Sequence, residues 1–266
     1  MKKHLFLMII FLMNYNISNS SELFKFSDKN SFIPETNNYY LSLFTFSEYT
    51  FSENLSLSLN PLSFFISPSV ELKYSFYKDA DLAFSSLHSV NFPTLLMSLV
   101  KSSGAGGFIS PEFEIPHMVS VSNGIISTFK IDSLNYISAM ILIDFALNNN
   151  DLNPATSIDL PVIFPRTAVL YKSLGINFTC ISENYIDKNF NFDGSVTLFS
   201  FPLTATKIDD EYPEHSNMRY FTEINTNLVW KVSKKVNIIG GAKLCYGEYP
   251  FGGKWHLLPN INLIIF

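Results

Sequence analysis

Residues Tyr220–Trp230 alternate without a break: Tyr220, Thr222, Ile224, Thr226, Leu228 and Trp230 share one face, and Phe221, Glu223, Asn225, Asn227 and Val229 the other. A repeat of two marks an extended strand, because successive side chains leave opposite sides of the backbone, whereas a helix brings every third or fourth residue to one side. A short basic turn, Val232-Ser233-Lys234-Lys235, leads into a second run in which Val236, Ile238, Gly240, Ala242, Leu244 and Tyr246 oppose Asn237, Gly241, Lys243 and Cys245. The two runs read as a tight hairpin. Gly247–Gly253 is dense in turn formers, and Lys254–Phe266 extends as a third strand at the end of the chain. The C-terminal part therefore predicts an antiparallel meander.

A final strand whose last residue is Phe266, with Ile264 two places before it, resembles the C-terminal strand of Gram-negative outer-membrane β-barrel proteins. The resemblance is to the class and not to a named member. It implies insertion into outer-membrane lipid and makes Phe266 and Ile264 the signal read by the barrel-assembly machinery. Further back the strand departs from the class pattern: Asn262 and Asn260 follow in that phase, while Leu257, Ile261, Leu263 and Ile265 lie in the other.

The front end fits the same compartment. Met1–Ser20 has a basic start at Lys2 and Lys3, an apolar run from Leu5 to Met13, and small residues at Ser18 and Ser20. This is the layout of a secretory signal peptide cleaved after Ser20, too short to span a bilayer. Residues 21–37 follow as a polar leader expected on the periplasmic side, and 38–266 as the barrel domain.

Beyond the signal no apolar run is long enough for a transmembrane helix, so a membrane-embedded chain must cross with strands. Charged residues make up 15%, against ~25% in an average soluble domain, and aromatic residues another 15%, with 26 Phe and 13 Tyr. Lipid-facing walls with aromatic girdles produce that skew. The net charge of −5 disfavours a nucleic-acid partner. Two cysteines, Cys180 and Cys245, exclude a disulfide-rich scaffold; they read as free thiols in the wall, or as a pair if the fold brings them together.

Along the chain, Tyr39–Thr50 is the first strand-like run, and Leu55, Leu57 and Leu59 alternate with Ser56, Ser58 and Asn60 in the next. Ser69–Tyr77 sets Val70, Leu72, Tyr74 and Phe76 against Glu71, Lys73 and Ser75, and Leu82–Val90 follows. Residues 91–116 do not read as strand: a short apolar run from Phe92 to Val100 precedes a glycine-rich stretch around Gly104–Gly107. His117–Val121, an Asn123-Gly124 hairpin turn, and Ile125–Ile131 come next, the dipeptide being the strongest two-residue turn signal present. Tyr136–Leu147, Thr167–Ser182 with a bulge at Gly175, and Phe190–Phe201 lead into the final three strands.

The fold expected is all-β, a closed antiparallel transmembrane barrel of about ten to twelve strands. With twelve strands and periplasmic termini, the connections at 148–166, 202–217 and 247–253 fall on the extracellular side and 91–116 on the periplasmic side, where it would act as a partial plug.

Glu71, Lys73, Asp144, Lys172, Glu223, Lys231 and Lys243 fall on polar faces and are the candidate lumen-facing residues. They would line either a pore or a sealed interior of hydrogen-bonded pairs. His88, His117, His215 and His256 form no metal-ligand spacing, and no cofactor motif is present. Ser86-Leu87-His88-Ser89, and Glu112 and Glu114 near His117, contain the residue types of a barrel lipid hydrolase but lack a nucleophile elbow, so no catalytic residue is assigned. The function expected is a narrow or plugged channel for small solutes. The alternatives are a sealed structural or docking barrel for envelope protein partners, a hydrophobic-ligand transporter, a lipid hydrolase, and a soluble secreted β-sandwich adhesin.

Overall fold

The computed structural model describes residues 30–33, 39–42, 45–101, 109–132, 134–150, 152–153, 156, 160, 163–187, 189–202, 220–233, 236–249 and 252–265. The signal sequence and most of the leader lie outside these residues, as do the glycines of 104–107, His215 and Phe266.

Twelve strands close into one antiparallel barrel in which each pairs with its neighbours in sequence and β1 meets β12. The first five are β1 (Tyr39–Ser42), β2 (Ser47–Ser52), β3 (Leu55–Leu59), β4 (Ser69–Lys78) and β5 (Leu82–Asn91). The longer strands follow: β6 (Met118–Lys130), β7 (Asn135–Asn148), β8 (Leu174–Tyr185), β9 (Phe190–Ser200), β10 (Tyr220–Ser233), β11 (Val236–Tyr249) and β12 (Gly252–Ile265). Closure rests on two register pairs, Leu41↔Ile265 and Ser42↔Ile264.

The alternation read from sequence becomes an inside and an outside. On β10, Phe221, Glu223, Asn227 and Val229 are buried, while Tyr220, Leu228 and Trp230 are exposed. On β7, Tyr136, Ser138 and Met140 are buried, and Ile137, Ile141, Ile143 and Phe145 are exposed. On β12, Leu257 is 73% and Ile261 69% exposed. A register shift between Ser75 and Tyr77 in β4 turns both Phe76 and Tyr77 outward, where each packs against Phe84. Phe190 and Trp230 stack on the same rim, and Tyr246 and Trp255 meet at the opposite one.

Several sequence expectations are corrected. Tyr39–Thr50 is two strands rather than one, because β1 and β2 fold back on each other through the register Tyr39↔Tyr49 and Tyr40↔Glu48. Asn123-Gly124 is not a turn: β6 runs through it, with Asn123 opposite His88 and Ile143. Gly124 is needed there for space, since a Cβ would run into the Ile141 carbonyl and the Leu142 side chain. The two miscounts cancel in the total but not in the parity.

One strand more than expected therefore precedes 92–117. That connection leaves from the same end as 60–68, 149–173 and 201–219, while the short connections 53–54, 79–81, 131–134 and 186–189 gather at the other end. It cannot plug the short-turn mouth. Instead α1 (Thr94–Leu99) puts Met97 into an apolar cluster with Ile109, Leu152, Val169 and the inward Phe199 and Phe221, capping the long-loop mouth.

Thr167–Ser182 is not one strand either. Phe164–Thr167 (α2) and Val169–Lys172 (α3) are single helical turns, the second ended by Ser173 in the left-handed region at φ 62°, with its N–H bonded to the Val169 carbonyl. Ala168, Val169 and Leu170 are consecutive and all buried in the cap, so an alternating strand could not serve them. Lys172 accordingly sits on a helical turn above the wall, outside the strands. β8 starts at Leu174, and its register runs through Gly175 without a bulge.

Ile264 is buried inside the barrel with Tyr40, Val229 and Ile239. The outward apolar set of β12 is the opposite phase, led by Leu257 and Ile261. The inward phase carries Asn260 and Asn262, whose amides need polar company, and Ile264 follows them by parity.

Candidate functional site

The barrel interior is the candidate site, and it is built in three tiers. At the long-loop end, inward-facing Glu223 of β10 lies 3.0 Å from the Lys243 ammonium of β11 and 2.9 Å from the Arg166 guanidinium. Arg166 belongs to α2, so this contact ties the cap to the wall, and its guanidinium also lies over the Phe199 ring. Phe221 reaches the cap because Gly247, across the ladder, offers no Cβ to block the ring. Asp144 of β7 accepts from the Asn177 amide of β8 nearby.

In the middle, β10–β12 and β1 carry a ladder of amides and hydroxyls. Asn260 donates to Asn227 at 2.6 Å, and Asn262 donates to Ser42 at 2.9 Å and to Thr45 at 3.0 Å. Lys73 of β4 meets Glu48 of β2 at 3.0 Å, both 3% exposed, across the inward Ser56 and Ser58 of β3. Such a pair is held by Coulomb attraction that water screens little, but its desolvation cost is of similar size.

At the short-turn end, leader residues Asn30–Ile33 are buried inside the barrel. Sequence reasoning missed them. Their partners come from β5 to β8, far away in the chain, and the local signal was slight: an apolar pair, Phe32-Ile33, no more prominent than Leu23-Phe24 and Phe26 earlier in the same segment.

Of the seven candidate charged residues, Lys73, Glu223 and Lys243 take part in the two ion-paired groups. Asp144 is half-buried on the inward parity of β7, and Glu71 and Lys231 are half-buried on the inward parities of β4 and β10. Glu48, Arg166 and Glu183 belong with them and were not singled out. Glu48 was hidden inside the merged first strand, and Arg166 in a connection read only as loop.

The residue types considered for hydrolysis do not assemble. His88 faces outward and bonds Asn123 through Nδ1 at 2.8 Å. The Ser110 hydroxyl donates to Glu112 at 2.6 Å and holds that carboxyl below its ordinary range, while His117 bonds Asn149 through its backbone N–H. Among the described residues no group of His, Cys, Asp and Glu could hold a metal ion. Cys180 faces outward and Cys245 inward, and both are free thiols.

A cylinder apolar outside and polar inside inverts the polarity of a soluble domain, and defines the architecture of transmembrane β-barrels. A soluble β-sandwich is excluded by the closed ring of strands. No family model and no curated protein matches the chain. Among solved structures it is similar to the NanC porin, with a TM-score of 0.50 and 9% identity over 86% of this chain and 97% of that one. It is also similar to the COG4313 outer membrane channel from Pseudomonas putida F1 (TM-score 0.42, 8% identity, 91% of this chain and 99% of that one) and to a Pseudomonas aeruginosa FadL homologue (0.36, 10%, 77% and 59%). At these identities the likeness is one of fold.

Proposed function

We propose that the chain is an outer-membrane β-barrel forming a narrow, capped channel for small polar solutes. The observation that carries this reading is the chemistry of the inner wall. It is lined by asparagines, serines, threonines and charged pairs, and among the described residues the buried side-chain amides of Asn191 and Asn237 find no hydrogen-bond partner. Buried groups of this kind are ordinarily satisfied by water, so a hydrated interior suits them. Twelve strands also lie between the side-chain-filled eight-stranded barrels and the open sixteen-stranded porins.

The outward Leu257, Ile261, Ile141 and Phe145 would face lipid, between the two aromatic rims. In this reading the N-terminal signal directs export, and the barrel-assembly machinery inserts the chain. No catalytic group is required of it.

The apolar cap favours a second reading, a sealed barrel that docks envelope proteins. One preparation separates them: the chain expressed with its signal, recovered from the outer-membrane fraction, run on a gel with and without heating, and reconstituted in a planar bilayer. Heat-modifiable migration with stepwise conductance is the outcome expected of the channel. Heat-modifiable migration with a silent bilayer favours the sealed barrel, and a soluble product overturns both.

A further inference from the structure

Residues Asn30–Ile33 of the leader sit inside the barrel at the short-turn mouth, and each hydrogen bond described below that ties them to the wall has a side chain as at least one partner. Asn30 and Ser31 have no exposed surface, and Phe32 and Ile33 are almost as fully buried, although the segment belongs to no strand. The Asn30 amide donates to Glu183 at 2.7 Å. The Ser31 N–H donates to the Thr128 hydroxyl at 2.8 Å, the Ser31 hydroxyl donates to the Ile126 carbonyl at 2.8 Å, and the Ser85 hydroxyl donates to the Ser31 carbonyl at 2.8 Å. The Phe32 ring stands edge-on to Tyr136, which stands edge-on to Tyr185, with Ala83 in the same cluster.

Two features mark this as a docking site and not as wall. The small Ala83 and Ser85 of β5 leave the room that the leader fills, where larger inward residues would close the lumen themselves. The registers of β5 with β6, β6 with β7 and β7 with β8 run without a shift through Ser85, Ile126, Thr128, Tyr136 and Glu183, and Asn30–Ile33 belong to no strand, so the leader supplies no rung of the ladder. Its departure would break no strand pairing. It would expose Glu183, Thr128 and Ser85 to water, which can replace each lost hydrogen bond.

We propose that Glu183, Thr128, Ser85, Tyr136 and Tyr185 form a peptide-docking site inside the barrel, occupied by the chain's own Asn30–Ile33. The leader is then a plug, and its withdrawal opens the short-turn mouth. This inference rests on the channel reading and adds the element that controls it.

The test uses the whole chain in planar bilayers, with two variants. Ser31→Cys with Thr128→Cys, in a Cys180→Ser background, locks the plug by a disulfide. Asn30→Ala with Phe32→Ala removes its amide and aromatic anchors. The oxidised lock should be silent and regain wild-type conductance on reduction, and the unanchored variant should conduct several-fold more than wild type. An oxidised lock that conducts like the wild type overturns the plug and leaves the channel reading standing. Silence in every form, the unanchored one included, overturns the channel reading. In that case amide hydrogen exchange decides the docking itself: slow exchange at Ser31 in wild type and fast exchange in the unanchored variant supports the site, and fast exchange in both refutes it.

Discussion

Glu223 holds Arg166 at 2.9 Å, across 57 positions of sequence, and so joins the barrel wall to the helical cap above it. With Lys243 on its other side, this one carboxylate separates two cations that would otherwise face each other.

Replacing Glu223 by Gln should loosen the cap and leave the wall intact. The loss is about 1 kcal/mol from the Arg166 contact, kept small because that side chain is 42% exposed and screened by water. Limited proteolysis of the intact barrel should cut the 149–173 connection faster in the variant, while the heat-modified gel shift stays the same. An unchanged cleavage rate would remove Glu223 from the role of latch.

The Lys73–Glu48 pair should respond far more strongly. Lys73→Met leaves a buried carboxylate without its cation, at a cost of about 3–5 kcal/mol. Lys73→Met combined with Glu48→Gln should recover most of that loss. Urea unfolding in detergent, followed by intrinsic fluorescence, gives all three values, and equal losses in the single and double variants would contradict the pairing.

His88 and Asn123 bond each other on the outward face of adjacent strands. Changing either one alone to Leu should destabilise the barrel by about 1 kcal/mol, by leaving a polar group unpaired. Changing both to Leu should restore or raise the unfolding temperature in detergent. If Asn123 were in a hairpin turn instead, Asn123→Leu would be costly whatever stood at position 88.

Cys180 and Cys245 lie on opposite faces of the wall. A chain denatured without reductant should take up two maleimide labels by mass, and reductant should leave its unfolding temperature unchanged. A single mass lighter by two labels would show a disulfide.

The fold was legible because half-buried strands write their pleat into the sequence: β4, β5, β7 and β9 to β12 can be read from alternation to within a few residues. What could not be read was contact made at a distance. Leu43-Phe44 carries no turn former, so the reversal between β1 and β2 left no mark. Asn123-Gly124 has turn chemistry, but Gly124 serves the close approach of Ile141. Ala168–Leu170 looks as apolar as a strand, and only the cap explains why consecutive residues are buried. For the interior, the charged residues of β4, β10 and β11 were accessible from face alone. Asn30 and Ser31 were not, since three strands that follow them, β5, β6 and β8, supply their partners.

The narrow join between β1 and β12 bears on how the cylinder comes to exist. Every other pairing links strands that follow one another, so the sheet can grow as a ribbon by local hairpins, each with a small loop-closure cost. The join pairs Leu41 with Ile265 and Ser42 with Ile264, from opposite ends of the barrel sequence, and Asn262 reinforces it with side-chain bonds to Ser42, 220 positions away, and to Thr45. The ribbon must therefore already be curled when its ends meet. The final rungs work as a clasp on a ring whose shape the long strands have set, and a variant weakened at Ser42 or Asn262 should stall late, as an inserted but unfastened sheet.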